Sequence, residues 1–410
     1  MTMVPHLPLS PLAADIATAI RQCVRCGYPT HNERHDDCCP DGMSHEYKPS
    51  SLATNITNVP RRRDDDNPLW QGPCASGPLG GITQSMLVRF LSCRERFRLK
   101  YVCGLEPPDK WNHRFGYGNM WHVCEEALAK GESNWRKYLQ DHWMEMNRRY
   151  PIQQDEIAKW AYVCNVQFPE YVGYWSKHPD VKKRTPLMQE HVFDVPYNLP
   201  SGRVVRLRGK FDSVDLIDGS IYLQENKTKG IIDKLQVERQ LKFDLQTMLY
   251  IIALQYGTSN VKGVRYNVVR RPLSGGKGNI RPHAAKYTKT TTTPAESDEA
   301  FYERLRRDYI AAEPDYWFFR VCAEISVKDV EVFRQTCLDP LLETLCWWYD
   351  DVTGDGKHEE EYYPPPMNYR TPFGVWSALE EGGSTEYDAY LETGSEAGLR
   401  RVSELFTELK

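Results

Sequence analysis

The spacing of apolar residues changes along the chain, and each change marks an element. From Thr83, a residue type that caps helices, Leu87, Phe90, Leu91, Phe97 and Tyr101 keep roughly helical spacing. A further helix is predicted to carry His122 and Leu128. Strand-type runs follow at 188–195, 204–216 and 221–227. Helical spacing returns over 238–256, with Leu241, Leu245, Met248, Leu249 and Ile252 on one face, and 263–269 alternates as a strand. Helix, strands, helix, strand predicts an α/β core with a mixed sheet flanked by helices. Beyond a polar, basic loop at 274–293, helical patterns resume at 300–312 and 327–349, and the tail from Asp350 is acidic and turn-rich. The chain shows no internal repeat.

Residues 1–76 stand apart from this core as a small Cys-rich appendage. Their block Arg61-Arg62-Arg63-Asp64-Asp65-Asp66, followed by Gly72-Pro73 and Gly77-Pro78, reads as a linker, because adjacent opposite charges with Pro and Gly bury no core. The expected division is 1–76 appendage and linker, 77–320 core, and 321–410 a C-terminal helical and acidic region packing on the core. A formal net charge of -4 excludes a polybasic carrier and leaves room for a local basic groove. No apolar run reaches the roughly eighteen residues of a membrane span. Asp15 interrupts the only apolar stretch near the N-terminus, which argues against a secretory signal. The twelve cysteines are therefore expected to be reduced thiols or metal ligands of a cytoplasmic protein, not a disulfide framework.

Chemistry concentrates in one hairpin. Two β-rich runs flank Asp218-Gly219, a strong tight-turn signal. With Ile217 opposite Ser220, the register continues to Asp212 opposite Glu225 and Lys210 opposite Lys227, all on one side of the strands. Like charges facing each other on a sheet are destabilising. A divalent cation such as Mg²⁺ or Mn²⁺, which takes hard oxygen ligands, relieves that repulsion. The alternative is a solvated face on which Lys210 and Lys227 neutralise the acids.

Asp212 followed one hairpin later by Glu225-Asn226-Lys227 resembles the Asp…(Asp/Glu)-x-Lys signature of the PD-(D/E)XK nuclease superfamily. Its neighbours resemble the RecB-like exonuclease branch, with a Cas4-like core found among phage and bacterial members. Gly118-Asn-Met-Trp-His122 is similar to that branch's Gly-x-x-x-His helix, Gln189-Glu190 to its upstream acidic position and Gly209-Lys-Phe-Asp212 to Gly-x-x-Asp. Gln246-Thr-Met-Leu-Tyr250 is similar to its Gln-x-x-x-Tyr helix, and Leu91-Ser-Cys93-Arg…Phe97 to its opening segment. The resemblance covers about residues 81–271, and the strand 263–272 extends it toward Arg320. It implies a restriction-endonuclease-like fold and a metal-dependent deoxyribonuclease, an exonuclease of recombination, repair or phage DNA processing in a bacterial or phage-infected cytoplasm. Implied partners are DNA and a recombination or replication protein, with no membrane.

The resemblance also implies roles. Asp212 and Glu225 would share the metal with the Asn226 carbonyl, and His122 would add an imidazole that favours Mn²⁺. Lys227 would orient or deprotonate the attacking water. Glu190 would bind the metal or hold Lys227 or a water, and Gln246 and Tyr250 would contact DNA or brace the metal-binding strands. Read alone, His122 and Tyr250 are also ordinary packed side chains. Arg94, Arg98, Arg270 and Arg271 are candidate phosphate contacts, against the reading of a solvated face. The rivals are a non-catalytic DNA-binding scaffold on a nuclease fold and a structure-specific endonuclease.

Cys23-Val-Arg-Cys26 has metal-knuckle spacing, and Cys39 with His35 or Cys38 would complete a tetrahedral zinc site. The competing reading is a Cys-rich tail without metal. Some relatives hold an iron–sulfur cluster; Cys93 lies near one such position, but Cys322, Cys337 and Cys346 are too widely spaced, and no cluster is expected.

Overall fold

Thr83 caps a helix as its position predicts: its hydroxyl accepts the Met86 N–H at 3.4 Å. In the computed structural model, residues 21–23, 47–49 and 68–354 are described, apart from 93, 109, 179–183, 258–260, 275 and 289–290, together with 390 and 395–409. Contacts divide the chain into Met1–Arg63 and Asp64–Lys410. In the first unit Arg21–Cys23 pairs antiparallel with Tyr47–Pro49.

In the second unit a short strand β1 (Ile82–Thr83) leads into helix α1 (Gln84–Ser92), which buries Met86, Leu87 and Phe90. Three helices follow: α2 (His113–Ala129), α3 (Trp135–Arg149) and α4 (Gln154–Ser176). Strands β2 (Arg184–Asn198), β3 (Val204–Ile217) and β4 (Ser220–Lys229) come next. Helix α5 (Leu245–Gln255) connects β4 to β5 (Val261–Arg270), and β6 (Phe318–Glu324) and α6 (Asp339–Thr353) follow. The helix predicted over 238–256 is divided, because Asp244 accepts the Thr247 N–H and starts α5 afresh.

The six strands form one mixed sheet in the order β6-β5-β4-β3-β1, with β2 on the remaining edge of β3. β4 and β5 run parallel, as a strand–helix–strand unit requires, and the other long pairs are antiparallel. One apolar core gathers Leu87, Phe90, Leu207, Phe211, Leu249, Val264 and Trp348; a second is built from α2, α3 and α4 with Trp317 and Phe318.

Trp70 is fully buried in the first core. Its ring meets Phe97 edge-on at 5.3 Å, and Phe97 meets Trp348 of α6 at 5.4 Å. Such pairs add roughly 0.5–1.5 kcal/mol each beyond burial. The segment around Trp70, expected to be linker, thus belongs to the core, and this unit starts ahead of the predicted boundary at 77. No described helix is long and apolar enough to cross a membrane.

Candidate active site

Strand β3 organises the site through a break in its pairing. β2 lines one edge of β3 throughout. On the other edge β1 pairs with Leu207 and Arg208, and β4 pairs with residues 213–217. The hairpin follows the predicted register from Ile217↔Ser220 to Ser213↔Gln224, helped by left-handed Asp218 and Gly219 at the turn. There the ladder stops. The predicted pairs Asp212–Glu225 and Lys210–Lys227 do not form as ladder pairs. Instead Asp212 Oδ2 accepts the Asn226 backbone N–H at 2.8 Å. Phe211 and Val214 both enter the same core although three positions apart, so strict alternation fails between them. That change of phase swings Asp212 out of the register a regular hairpin would impose.

Two glycines explain the close packing around this break. A Cβ on Gly209 would lie 2.4 Å from the Phe193 ring and 3.1 Å from Tyr250. Only glycine admits both rings over β3, and they pin α5 to the strand just before Asp212. A Cβ on Gly118 would lie 3.3 Å from Thr228 Oγ1, so α2 approaches the end of β4 closely there. His122, one helical turn on, is thereby carried to the strands.

Glu190 of β2 lies between the paired residues Gln189 and His191 and has φ +46°, a left-handed conformation rare in a strand. Such a residue costs of order 1–3 kcal/mol, which surrounding structure must impose. The result is a constellation: ligand atoms of His122, Glu190 and Asp212 all lie within 4.8 Å of one another. One imidazole and two carboxylates fit Mg²⁺ or Mn²⁺ chemically. Lys210, expected opposite Lys227, pairs with Glu190 at 2.7 Å. Burial raises the Glu190 pKa, with Lys210 opposing and Asp212 adding to the rise.

Glu225 stands beside this trio and is fully buried. Its Oε2 accepts from Lys227 Nζ at 3.1 Å and from Gln246 Nε2 at 2.9 Å, while Oε1 is buried without a partner. Burial pushes its carboxyl up to about 8; Lys227 counteracts and Asp212 adds to the rise. Burial also disfavours the Lys227 ammonium, but Glu225 and Asp212 outweigh it and hold the charge. Gln246 therefore braces Glu225, and Tyr250 is a core residue whose ring meets Phe193 and Phe211 edge-on.

A buried hydrogen-bonded chain, absent from the sequence-based expectations, ties the helices to these strands. Glu125 Oε1 accepts from the Tyr171 hydroxyl at 2.7 Å, and Asn267 Nδ2 donates to Tyr171 Oη at 2.6 Å. Asn267 Nδ2 also donates to Asn226 Oδ1 at 3.1 Å, and the Asn226 N–H reaches Asp212. Burial lifts the Glu125 carboxyl to about 7, against the pull of His122 and Tyr171. Two signals were available: Glu125 lies three residues after His122, and Asn267 stands between Tyr266 and the apolar pair Val268-Val269.

Beside the trio lies a cleft of about 860 Å³, lined by α2, the end of β4 and the loop after β5. Arg114, Lys227, Lys229 and Arg271 contribute positive charge, and no acidic side chain lines it among the described residues. Arg271, a candidate phosphate contact, lines this cleft. Arg270 instead packs on the Tyr316 ring at 4.1 Å and donates to the Tyr316 carbonyl, holding the neighbouring segments together. Arg94 lies over the Phe90 ring and Arg98 donates to Cys103; neither lines the cleft.

Cys26, His35, Cys38 and Cys39 lie outside the described residues, as does Cys93, and Cys23 is placed only as the end of a strand. Cys322 and Cys337 are exposed; Cys346 is buried, 3.9 Å from Cys74. The PD-(D/E)XK nuclease superfamily description matches residues 82–329, from β1 past β6. No curated protein matches the chain.

Proposed function

This chain belongs to the PD-(D/E)XK nuclease superfamily, and on that footing we propose that it is a metal-dependent deoxyribonuclease of the RecB-like branch, an exonuclease of cytoplasmic DNA recombination, repair or phage DNA processing. The observation that carries the reading is the convergence of His122, Glu190 and Asp212, of which His122 also lines a basic cleft. These three would hold Mg²⁺ or Mn²⁺, with Glu225 beside them. When bound, the ion lowers the pKa of a coordinated water and polarises the scissile phosphate.

The remaining steps fall to the chain itself. Arg114, Lys229 and Arg271 draw the phosphodiester backbone along the cleft. Lys227 keeps its proton because Glu225 and Asp212 hold it charged. That favours orienting the attacking water and offsetting charge on the phosphate over acting as the base. Gln246 and Lys227 both donate to Glu225 Oε2 and so fix the position of that side chain. The chain through Asn226, Asn267 and Tyr171 holds Asp212 against α4.

End-labelled linear DNA and covalently closed circular DNA, each with Mg²⁺, Mn²⁺ or EDTA, test the reading. Linear DNA should be degraded only with metal, and closed circles should survive. Cutting of circles moves the activity to an endonuclease, and intact linear DNA under every metal rejects the nuclease assignment.

A further inference from the structure

Among the described residues two pairs of thiols lie in contact: Cys124 and Cys164 at 4.0 Å between sulfurs, and Cys74 and Cys346 at 3.9 Å. The first pair is sealed in the core between α2 and α4, where both side chains are fully buried. The second differs, because Cys74 is exposed while Cys346 is buried in α6. The turn that carries Cys74 is held in place without any help from sulfur. The Gln71 N–H donates to the Leu79 carbonyl at 3.0 Å and the Gly81 N–H to the Gly72 carbonyl at 2.9 Å, which closes the loop on itself. Tyr349 of α6 donates its hydroxyl to the Trp70 carbonyl at 2.9 Å, and its ring covers Gly72 so closely that a Cβ there would lie 2.5 Å away. The two thiols also bracket the fold: the family match spans residues 82–329, and one thiol stands beyond each end.

We propose that Cys74 and Cys346 are a redox-responsive pair, which a small-molecule disulfide such as oxidised glutathione converts into a disulfide that clasps the two ends of the core together. Such a pair needs an accessible thiol with thiolate character and a second thiol beside it. A hydrogen bond from the Cys346 thiol, opposed by burial and helped by the Arg203 guanidinium, brings the Cys74 thiol down to about 7. The Cys74 thiolate attacks one sulfur of the oxidant, whose S–S bond breaks; one small thiolate leaves and a mixed disulfide remains on Cys74. Cys346, which the Cys74 sulfur had kept in its thiol form, then gives up its proton and attacks the Cys74 sulfur, expelling the second small thiolate. Two protein thiols are oxidised, one disulfide is reduced to two thiols, and the two protons end on the leaving thiolates. The sulfurs need to close from 3.9 Å to about 2.0 Å, a short movement for an exposed turn. The bond joins positions 272 residues apart, and closing so long a loop removes much of the freedom of the unfolded chain. Neither thiol lines the cleft or belongs to the trio, so the clasp acts on the stability of the core and leaves its chemistry alone.

The test incubates the full chain with oxidised glutathione or with dithiothreitol at about pH 8, where Cys74 is largely thiolate, then maps unreduced peptides by mass spectrometry and records melting curves. The oxidised protein should yield a peptide pair joined at Cys74 and Cys346, separated by fragmentation from the nearby Cys337, and no bond between Cys124 and Cys164. It should melt about 5 °C or more above the reduced protein, and dithiothreitol should reverse both changes. Cys74→Ser and Cys346→Ala should each lose the difference between oxidised and reduced melting. That difference is read within each variant, so a general loss of stability from the substitution at buried Cys346 does not enter it, and Cys74→Ser changes an exposed side chain. Glutathione left on Cys74 without a bond to Cys346, equal melting in the two redox states, or a shift that persists in Cys74→Ser overturns the proposal. No metal and no cleavage enters these readouts, so they stand or fall apart from the nuclease reading.

Discussion

Asp212→Asn is expected to lower cleavage by about a thousandfold or more while the fold and DNA binding persist. Asparagine retains an oxygen for the Asn226 N–H, which Asp212 Oδ2 accepts at 2.8 Å, so the junction of β3 and β4 has no reason to open. What is lost is one of two carboxylates in the trio with His122 and Glu190. A site with one carboxylate and an imidazole binds a hard divalent ion more weakly and does less to activate a bound water. Binding of DNA in EDTA should hold or improve, since a negative charge near the phosphates has gone. Single-turnover cleavage, thermal melting and anisotropy on the same preparation check this. Activity within about tenfold of wild type, with a native melt, would remove Asp212 from the chemistry.

Lys227→Met should produce the second large effect, on rate and on pH-dependent stability. Removing a group that orients water and offsets charge lowers the rate by about a hundredfold to ten-thousandfold. For stability, Glu225 decides the sign. Its folded-state pKa is about 8 against an ordinary 4.5, raised by burial and restrained by Lys227. Between those values the folded protein keeps a proton that the unfolded chain has released, so stability falls as pH rises. Without Lys227 the folded-state pKa climbs further. The variant then goes on losing stability above pH 8, where the Glu225 contribution in wild type has levelled off. Its deficit should grow by up to about 1.4 kcal/mol per pH unit there. Melting curves from pH 6.5 to 9 measure it; a constant deficit across that range would show that Lys227 does not govern Glu225.

The hairpin was legible because Asp218-Gly219 sets a turn whose register propagates locally, and five pairs obey it. The failure at Asp212 had no local signal. It follows from β1 occupying the same edge of β3 and from the phase change between Phe211 and Val214, both products of tertiary packing. The order of motif residues brought His122, Glu190 and Asp212 to notice together, but their convergence depends on a left-handed Glu190 that no spacing rule foretells. The helices α3 and α4 were missed for another reason. Ile157, Trp160, Cys164, Phe168, Tyr171 and Trp175 recur at helical spacing, but Pro169 lies among them and reads as a breaker. Burial of that face against α2 outweighs the lost hydrogen bond. Strand β6, Phe318–Glu324, is a short segment whose apolar residues are broken by Arg320, too short for periodicity alone to separate strand from helix.

Cleavage is expected to depend on a divalent ion held by His122, Glu190 and Asp212. The most direct measurement titrates Mn²⁺ into the metal-free protein, follows free Mn²⁺ by electron paramagnetic resonance, and assays cleavage of end-labelled DNA at each point. The expected result is cleavage that rises in step with ion occupancy, with both binding and cleavage lost together in His122→Ala and Asp212→Asn. Cleavage at full rate in EDTA, or full Mn²⁺ binding by both variants, would contradict it.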